Sequence, residues 1–320
     1  QVLYCTRRHQ DYPRQRRREN SILRNMKIAH KTIYSWEEFR SALDKDPKRS
    51  DIKKLRSYAS HKDVDNDDWY GTKSWTEAVF LLDAGGWGLN RLEKTELDDT
   101  IMESIAPLEQ YLTEYVPTIA GGIVNIEAAT TDASPEHFLE EEETDTIIAA
   151  GKRLLTIYVN CWNHNGIPEE CYFHRGALIY KAVDRLESLG YGCEVIAVFP
   201  CRGSGEAHAT YVKIKDFQEM IDADRLCISM CATFMMRRFL FHLQELESDK
   251  VRLQYGYHTD GGYGTQILMG TLEDSEVMIQ QDSSELVFWY DVSGLTTVES
   301  IEKSFKKLVK RKFKEVDRDA

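Results

Sequence analysis

Apolar residues recur along this chain with two different periods, and the change between them falls near residue 150. Ser35-Trp36-Glu37-Glu38 spaces Ser35 and Glu38 as a capping box, and Trp36, Phe39 and Leu43 follow at helical intervals. The pattern returns at Ser74-Trp75-Thr76-Glu77, continues through Val79, Leu81 and Leu82, and stops at Gly85-Gly86. This echo is too short to define a repeat architecture. A further helix is expected from Leu97 to Tyr115, ended by Pro117. Gly121-Gly122 turns into a strand at Ile123-Val124-Asn125-Ile126. Ser134 to Leu139 then opens a short helix, and the acidic run Glu140 to Glu143 reads as a solvated boundary.

Beyond that boundary, Leu154-Leu155-Thr156-Ile157-Tyr158-Val159 is a continuous apolar run of the kind buried on both faces of a parallel sheet. Ala177, Ile179, Ala182, Val183 and Leu186 mark a helix that ends near Gly190 or Gly192, and Cys193 to Phe199 supplies the next strand. Strand, helix and strand in this order predict parallel pairing through a right-handed crossover. Tyr211, Lys213 and Lys215 alternate as a strand near a sheet edge, Asp216 to Ile221 as a short helix, Leu226 to Met230 as a strand, and Phe234 to Leu246 as a packed helix. Late strands are expected at Gln266 to Met269, Val277 to Gln280 and Leu286 to Tyr290. An amphipathic helix through Ile301, Phe305, Leu308, Val309 and Phe313 closes the chain, its lysines solvating the outer face. The organisation expected is a basic extension or disordered arm over 1–29, a mainly helical region over 30–145 and an α/β domain over 146–320.

Charge sharpens the first boundary. Residues 1–25 carry seven Arg, no Lys, and only Asp11 and Glu19, about +5, while the whole 320-residue chain stands at −12. The first methionine is Met26, so this segment reads either as an extension ahead of the natural start or as a basic arm for an acidic partner. The acidic remainder argues against nonspecific nucleic-acid affinity. No apolar run reaches the length of roughly 18 residues that a membrane span needs, and no apolar signal core precedes Met26. Seven cysteines, concentrated between Cys161 and Cys231 in apolar segments, read as reduced thiols rather than a disulfide framework.

The leading candidate for chemistry is the loop after the first α/β strand, because ligands in open α/β sheets bind beyond the carboxyl ends of strands. Asn160, Cys161, Asn163 and His164 fall there, followed by Cys171 and His174. The spacing Cys-x2-His-x6-Cys-x2-His would offer zinc a tetrahedral sulfur and nitrogen set, structural in role; a metal-free loop is the expectation. Cys161 beside His164 or His174 would instead form a nucleophile and base. Arg202, after the second strand, and Arg237-Arg238 are candidates for an anion or an acidic partner, or ordinary outward-facing charges. His258 and Asp260, in a glycine- and tyrosine-rich turn, are a candidate proton-transfer pair. The acidic segment Asp63 to Asp68 leads into Trp69 and Tyr70, aromatics that either meet a ligand or dock on the helical layer.

Trp69-Tyr70-Gly71-Thr72-Lys73-Ser74-Trp75-Thr76-Glu77-Ala78, Arg175-Gly176-Ala177 with Leu186-Glu187, and Met235-Met236-Arg237-Arg238 resemble an uncharacterised family encoded by bacteriophages and some bacteria, over residues 30–290. The order of elements from Leu154 to Phe241 resembles the von Willebrand factor A-like branch of α/β folds, or a related Rossmannoid sheet. That resemblance implies a divalent ion held by Asp-x-Ser-x-Ser after the first strand. Here the stretch is Asn160-Cys161-Trp162-Asn163-His164, which replaces the carboxylate and both hydroxyls and weakens an oxygen-rich ion site. What the resemblance implies is a phage-associated, non-enzymatic protein-binding or assembly protein of the host cytoplasm or virion, without a cofactor. The alternatives are a hydrolase or nucleotide-processing enzyme using Cys161, His164, His174 or His258/Asp260, and a nucleic-acid binder using Arg202, Arg237, Arg238 and the basic arm.

Overall fold

In the computed structural model, the described residues are 28–47, 60–63, 69–86, 115–118, 123–124, 138–141, 154–162, 167–188, 191–202, 207–254, 263, 265–266, 286–290 and 297–319. Leu154–Asn160 forms strand β5, the helix Glu169–Ser188 (here α3) crosses over, and Gly192–Arg202 (β6) returns parallel to β5. β6 then reverses into Ala207–Lys215 (β7), which pairs with it antiparallel. Two further strands complete the mixed sheet: Ile28–Ile33 (β1) lies parallel to β7, and Leu286–Tyr290 (β9) lies parallel to β5. The order is β1-β7-β6-β5-β9, with the short Thr265–Gln266 (β8) paired to the end of β6. Tyr115–Thr118 (β2), Ile123–Val124 (β3) and Phe138–Glu141 (β4) form a separate antiparallel sheet in the order β2-β4-β3.

The helices fall where their caps are written. Trp36–Leu43 (α1) starts at Ser35, whose hydroxyl accepts from the Glu38 amide, while the Glu38 carboxylate accepts from the Tyr34 amide at 2.8 Å. Trp75–Ala84 (α2) repeats this with Ser74 and Glu77, and ends at Gly85 and Gly86, both at positive φ. Arg40 joins the two helices through paired bonds of 2.9 and 3.0 Å to Asp83. Ala223–Cys231 (α4) is followed by a π-helical segment, Met235–Leu240, that runs directly into Phe241–Glu245 (α5); Asp249–Gln254 is α6 and Val298–Asp319 is α7.

One face of the sheet, with Leu155, Ile157, Val159, Val195, Ala197 and Phe199, packs against α3, α4, the π segment and α5, with Phe39, Ala78, Ile301 and Phe305 joining the same core. The other face carries Tyr158, Ile196, Val198, Ala209 and Tyr211. Burial on both faces explains why β5 and β6 are apolar almost without alternation. Among the described residues no single helix is long and apolar enough to cross a membrane. The bent pair of α4 with Met235–Glu245, which passes that test by composition, is core.

Several expectations change here. Leu226–Met230 is helix, not strand: Asp222 caps it by accepting from the Arg225 amide, and a short apolar run carries no period that separates the two. Asp216 to Ile221 holds a turn rather than a helix, with the Asp216 amide bonded to Glu219. β7 lies inside the sheet, its lysines tolerated because Lys213 pairs with Glu194 at 2.6 Å and Lys215 with Glu187 at 2.5 Å. Tyr115 opens a strand rather than ending a helix, and Phe138 to Glu141 is strand where a helix and a solvated boundary were expected. Residues 97–114, 134–137 and 277–280 lie outside the described residues. β1 carries no sequence signal strong enough to predict it; pairing with β7 makes it a strand.

Candidate functional site

β5 has β6 on one side and β9 on the other, so its carboxyl end is a switch point of the sheet. Asn160 closes the strand by accepting from the Trp162 amide at 2.9 Å. From α3, the buried Arg175 reaches back: one nitrogen donates to the Asn160 carbonyl at 3.2 Å, another to the Met230 carbonyl, and the guanidinium lies 5.1 Å from the Tyr172 ring. One cation thus ties the end of β5 to the end of α4. Trp162 stacks on Phe199 at 5.0 Å; Phe241 lies 6.0 Å beyond and stacks on Tyr263 at 3.6 Å.

The track leads to a buried polar face on the π segment and α5. Arg238, His242 and Glu245, at i, i+4 and i+7, meet the segment Ser60 to Lys62 residue by residue. Glu245 accepts from the Ser60 amide at 3.1 Å, and from the hydroxyls of Ser60 and Tyr263. Arg238 donates to the carbonyls of Ser60, Lys62 and Thr72 at 2.7, 2.8 and 2.7 Å and to the Thr72 hydroxyl at 3.1 Å, with the Tyr70 ring 4.3 Å away. His242 bridges His61 at 2.9 Å and the Ala42 carbonyl at 3.2 Å. The carbonyl can only accept, so His242 Nε2 carries the proton and its Nδ1 accepts from His61 Nε2. His61 also stacks on Trp75 at 3.9 Å.

Burial sets the charge states. It lowers the His242 imidazole to about 4, helped by the neighbouring His61, and lowers His61 itself. Both are neutral near pH 7. Burial also raises the Glu245 carboxyl despite its hydrogen bonds. The arrangement fastens a strap, whose described residues are 60–63 and 69–74, and positions what it carries: Arg237 donates to the Trp69 carbonyl and lies 4.0 Å over the indole, while Trp69 remains 47% exposed. Gly71, at φ 73, lets the strap pass close to Thr233, whose Cβ would sit 2.9 Å from an added Cβ.

Arg237 and Arg238 therefore are neither outward charges nor an exposed anion site; they are 3% and 0% exposed and spend their donors inside the fold. Cys161 and Cys171 are both buried, and burial pushes the Cys161 thiol up to about 11. A nucleophilic thiol needs the opposite. Cys161 should resist iodoacetamide in the folded protein at pH 7.5 and react only after denaturation, by peptide mass mapping; rapid native alkylation would contradict this burial. His174 bonds Glu302 on α7 at 2.9 Å. Among the described residues no group of three or more His, Cys, Asp or Glu is placed to hold a metal. Arg202 is half-buried at the end of β6. Asn163, His164, His258 and Asp260 lie outside the described residues.

Ser60, His61, His242 and Glu245 were not anticipated from sequence, and Tyr263, read there as a ring positioning a ligand for His258 and Asp260, donates its hydroxyl to Glu245 instead. The i, i+4, i+7 spacing of Arg238, His242 and Glu245 is the signal that could have marked their shared face.

Fold and site define an α/β protein with a mixed sheet, helices packed on it and an internally fastened aromatic strap. The chain belongs to the family described as a domain of unknown function, DUF7192, whose model matches residues 14–310. No curated protein and no solved structure matches it.

Proposed function

We propose that this chain is a non-enzymatic protein-recognition or assembly component of a bacteriophage, acting in the host cytoplasm or in the virion, with an A-like α/β body. The observation that carries the reading is Trp69. Arg237 holds it from below, and the neutral phenols of Tyr172 and Tyr70 lie in the neighbourhood of that guanidinium. Tyr172 in turn stands beside Arg175 and the end of β5. A large, half-exposed indole with its backbone pinned and one face covered loses little conformational entropy on binding, the property of a hot-spot residue. Through Arg237 and Tyr172 it is linked to the described part of the Asn160 to His174 stretch, which sequence reads as part of a surface. This mode of action requires no cofactor.

The reading is tested by placing a photo-crosslinking amino acid at the exposed Lys73 of the full chain in infected cells. Discrete protein crosslinks are expected, and Trp69→Ala should abolish them while lowering stability by only about 1 kcal/mol, the worth of the lost cation–π contact. Crosslinks that persist unchanged in the variant would remove Trp69 from recognition.

A further inference from the structure

The closing helix holds a charge pattern that neither the strap nor the β5 end uses. From Lys303 to Lys314, seven of twelve residues are basic and none is acidic, within a chain of net charge −12. The rotation of α7 is fixed by its inner side. Ile301 and Phe305 are 1% and 5% exposed in the main core, and Glu302 is bonded by His174 of α3. Lys303 and Lys307 consequently stand exposed. Helical repeat carries positions 310 and 314 onto the same side, giving a row at i, i+4, i+7 and i+11 that runs about 16 Å along the axis.

We propose that this lysine row is a docking surface for the phosphate backbone of nucleic acid. A duplex presents roughly nine charges over that length, counting both strands, so lysine positions repeating along one helix face match a phosphate backbone in charge and reach. Lysine ammoniums are point charges without the fork that reads a guanine edge, so the contact positions the backbone and carries no sequence preference. An anionic membrane is the weaker partner for a physical reason: an interfacial helix inserts its apolar stripe, and here Ile301 and Phe305 of that stripe are already committed to the core. The surface is distinct from Arg237 and Arg238, whose donors are turned inward.

The test is fluorescence anisotropy of the full chain with a labelled 20-base-pair DNA duplex and, in parallel, a 20-nucleotide RNA. Four phosphate contacts predict an affinity loss on the order of 100-fold between 50 and 200 mM salt. Replacing Lys303, Lys307, Lys310 and Lys314 together by Gln should weaken binding at least about tenfold at 50 mM and flatten the salt slope by about four. Should the Gln variant fail to fold by circular dichroism, the fourfold Lys→Arg variant, which keeps the charge, must bind like the parent. Undiminished binding by a folded Gln variant would move the activity to the Arg-rich residues 1–25 and overturn the proposal. So would binding to phosphatidylserine vesicles without binding to either nucleic acid, or binding to neither.

Discussion

Arg238→Met is expected to lower the free energy of unfolding by about 3–5 kcal/mol, the scale for stripping one partner from a buried charged network. The substitution takes from the carbonyls of Ser60, Lys62 and Thr72 the donor that Arg238 supplies and faces them with an apolar group. Removing a buried cation returns part of its desolvation cost, which keeps the loss below the sum of its separate bonds. Arg238→Lys should fall between, because one ammonium cannot span acceptors that the guanidinium fork reaches from opposite sides. Urea denaturation measures the loss, and limited proteolysis between residues 60 and 74 should accelerate in parallel as the strap lifts. A methionine variant within about 1 kcal/mol of the parent would show that Arg238 does not hold the strap, since surface-like tolerance is of that size.

Stability should also fall by about 4 kcal/mol between pH 7 and pH 5, about 2 from each of two histidines. His208, in β7, is lowered to about 3, first by burial and then by Lys31 and His30. His242 is lowered to about 4, first by burial and then by His61. Unfolded, each imidazole titrates near 6.5. Below that pH the unfolded chain takes up protons that the fold refuses, so stability is whole above about 6.5 and is lost progressively towards the folded values. His30 and His61 are shifted in the same direction by burial. Glu245 works against them: its raised carboxyl binds a proton in the fold at a pH where the unfolded chain is still ionised, which offsets part of the loss. His208→Gln and His242→Gln should each flatten the pH dependence by about half. Parallel pH profiles for parent and both variants would mean that these imidazoles do not govern acid stability.

These two effects sit on residues of unequal visibility in sequence. Arg238 stood out as half of an Arg-Arg pair, yet its role was misread, because a cation in a helix is outward by default and only burial reverses that. His208 and His242 carried no mark at all. Both caps, Ser35 with Glu38 and Ser74 with Glu77, were legible because a capping box is a local bond between residues three apart. Leu226 to Met230 was not, because its apolar run is enclosed on every side and shows no period. Asn160, read as the first residue of the loop after the strand, is the last residue of the strand itself, and Arg175, noted only within the stretch that follows and a family motif, is its buried partner.

Sequence by itself determined the β5-α3-β6 unit, the two capped helices and the amphipathic close of the chain, since each is set by bonds or periodicity within a few residues. Tertiary structure alone decided that Ile28–Ile33 joins the sheet, that β7 lies inside it, and that Arg238, His242 and Glu245 grip Ser60 to Lys62. Those contacts join residues more than 170 positions apart. No local propensity records them; they exist because a buried polar group must find a partner, and the fold supplies it from wherever the chain happens to pass.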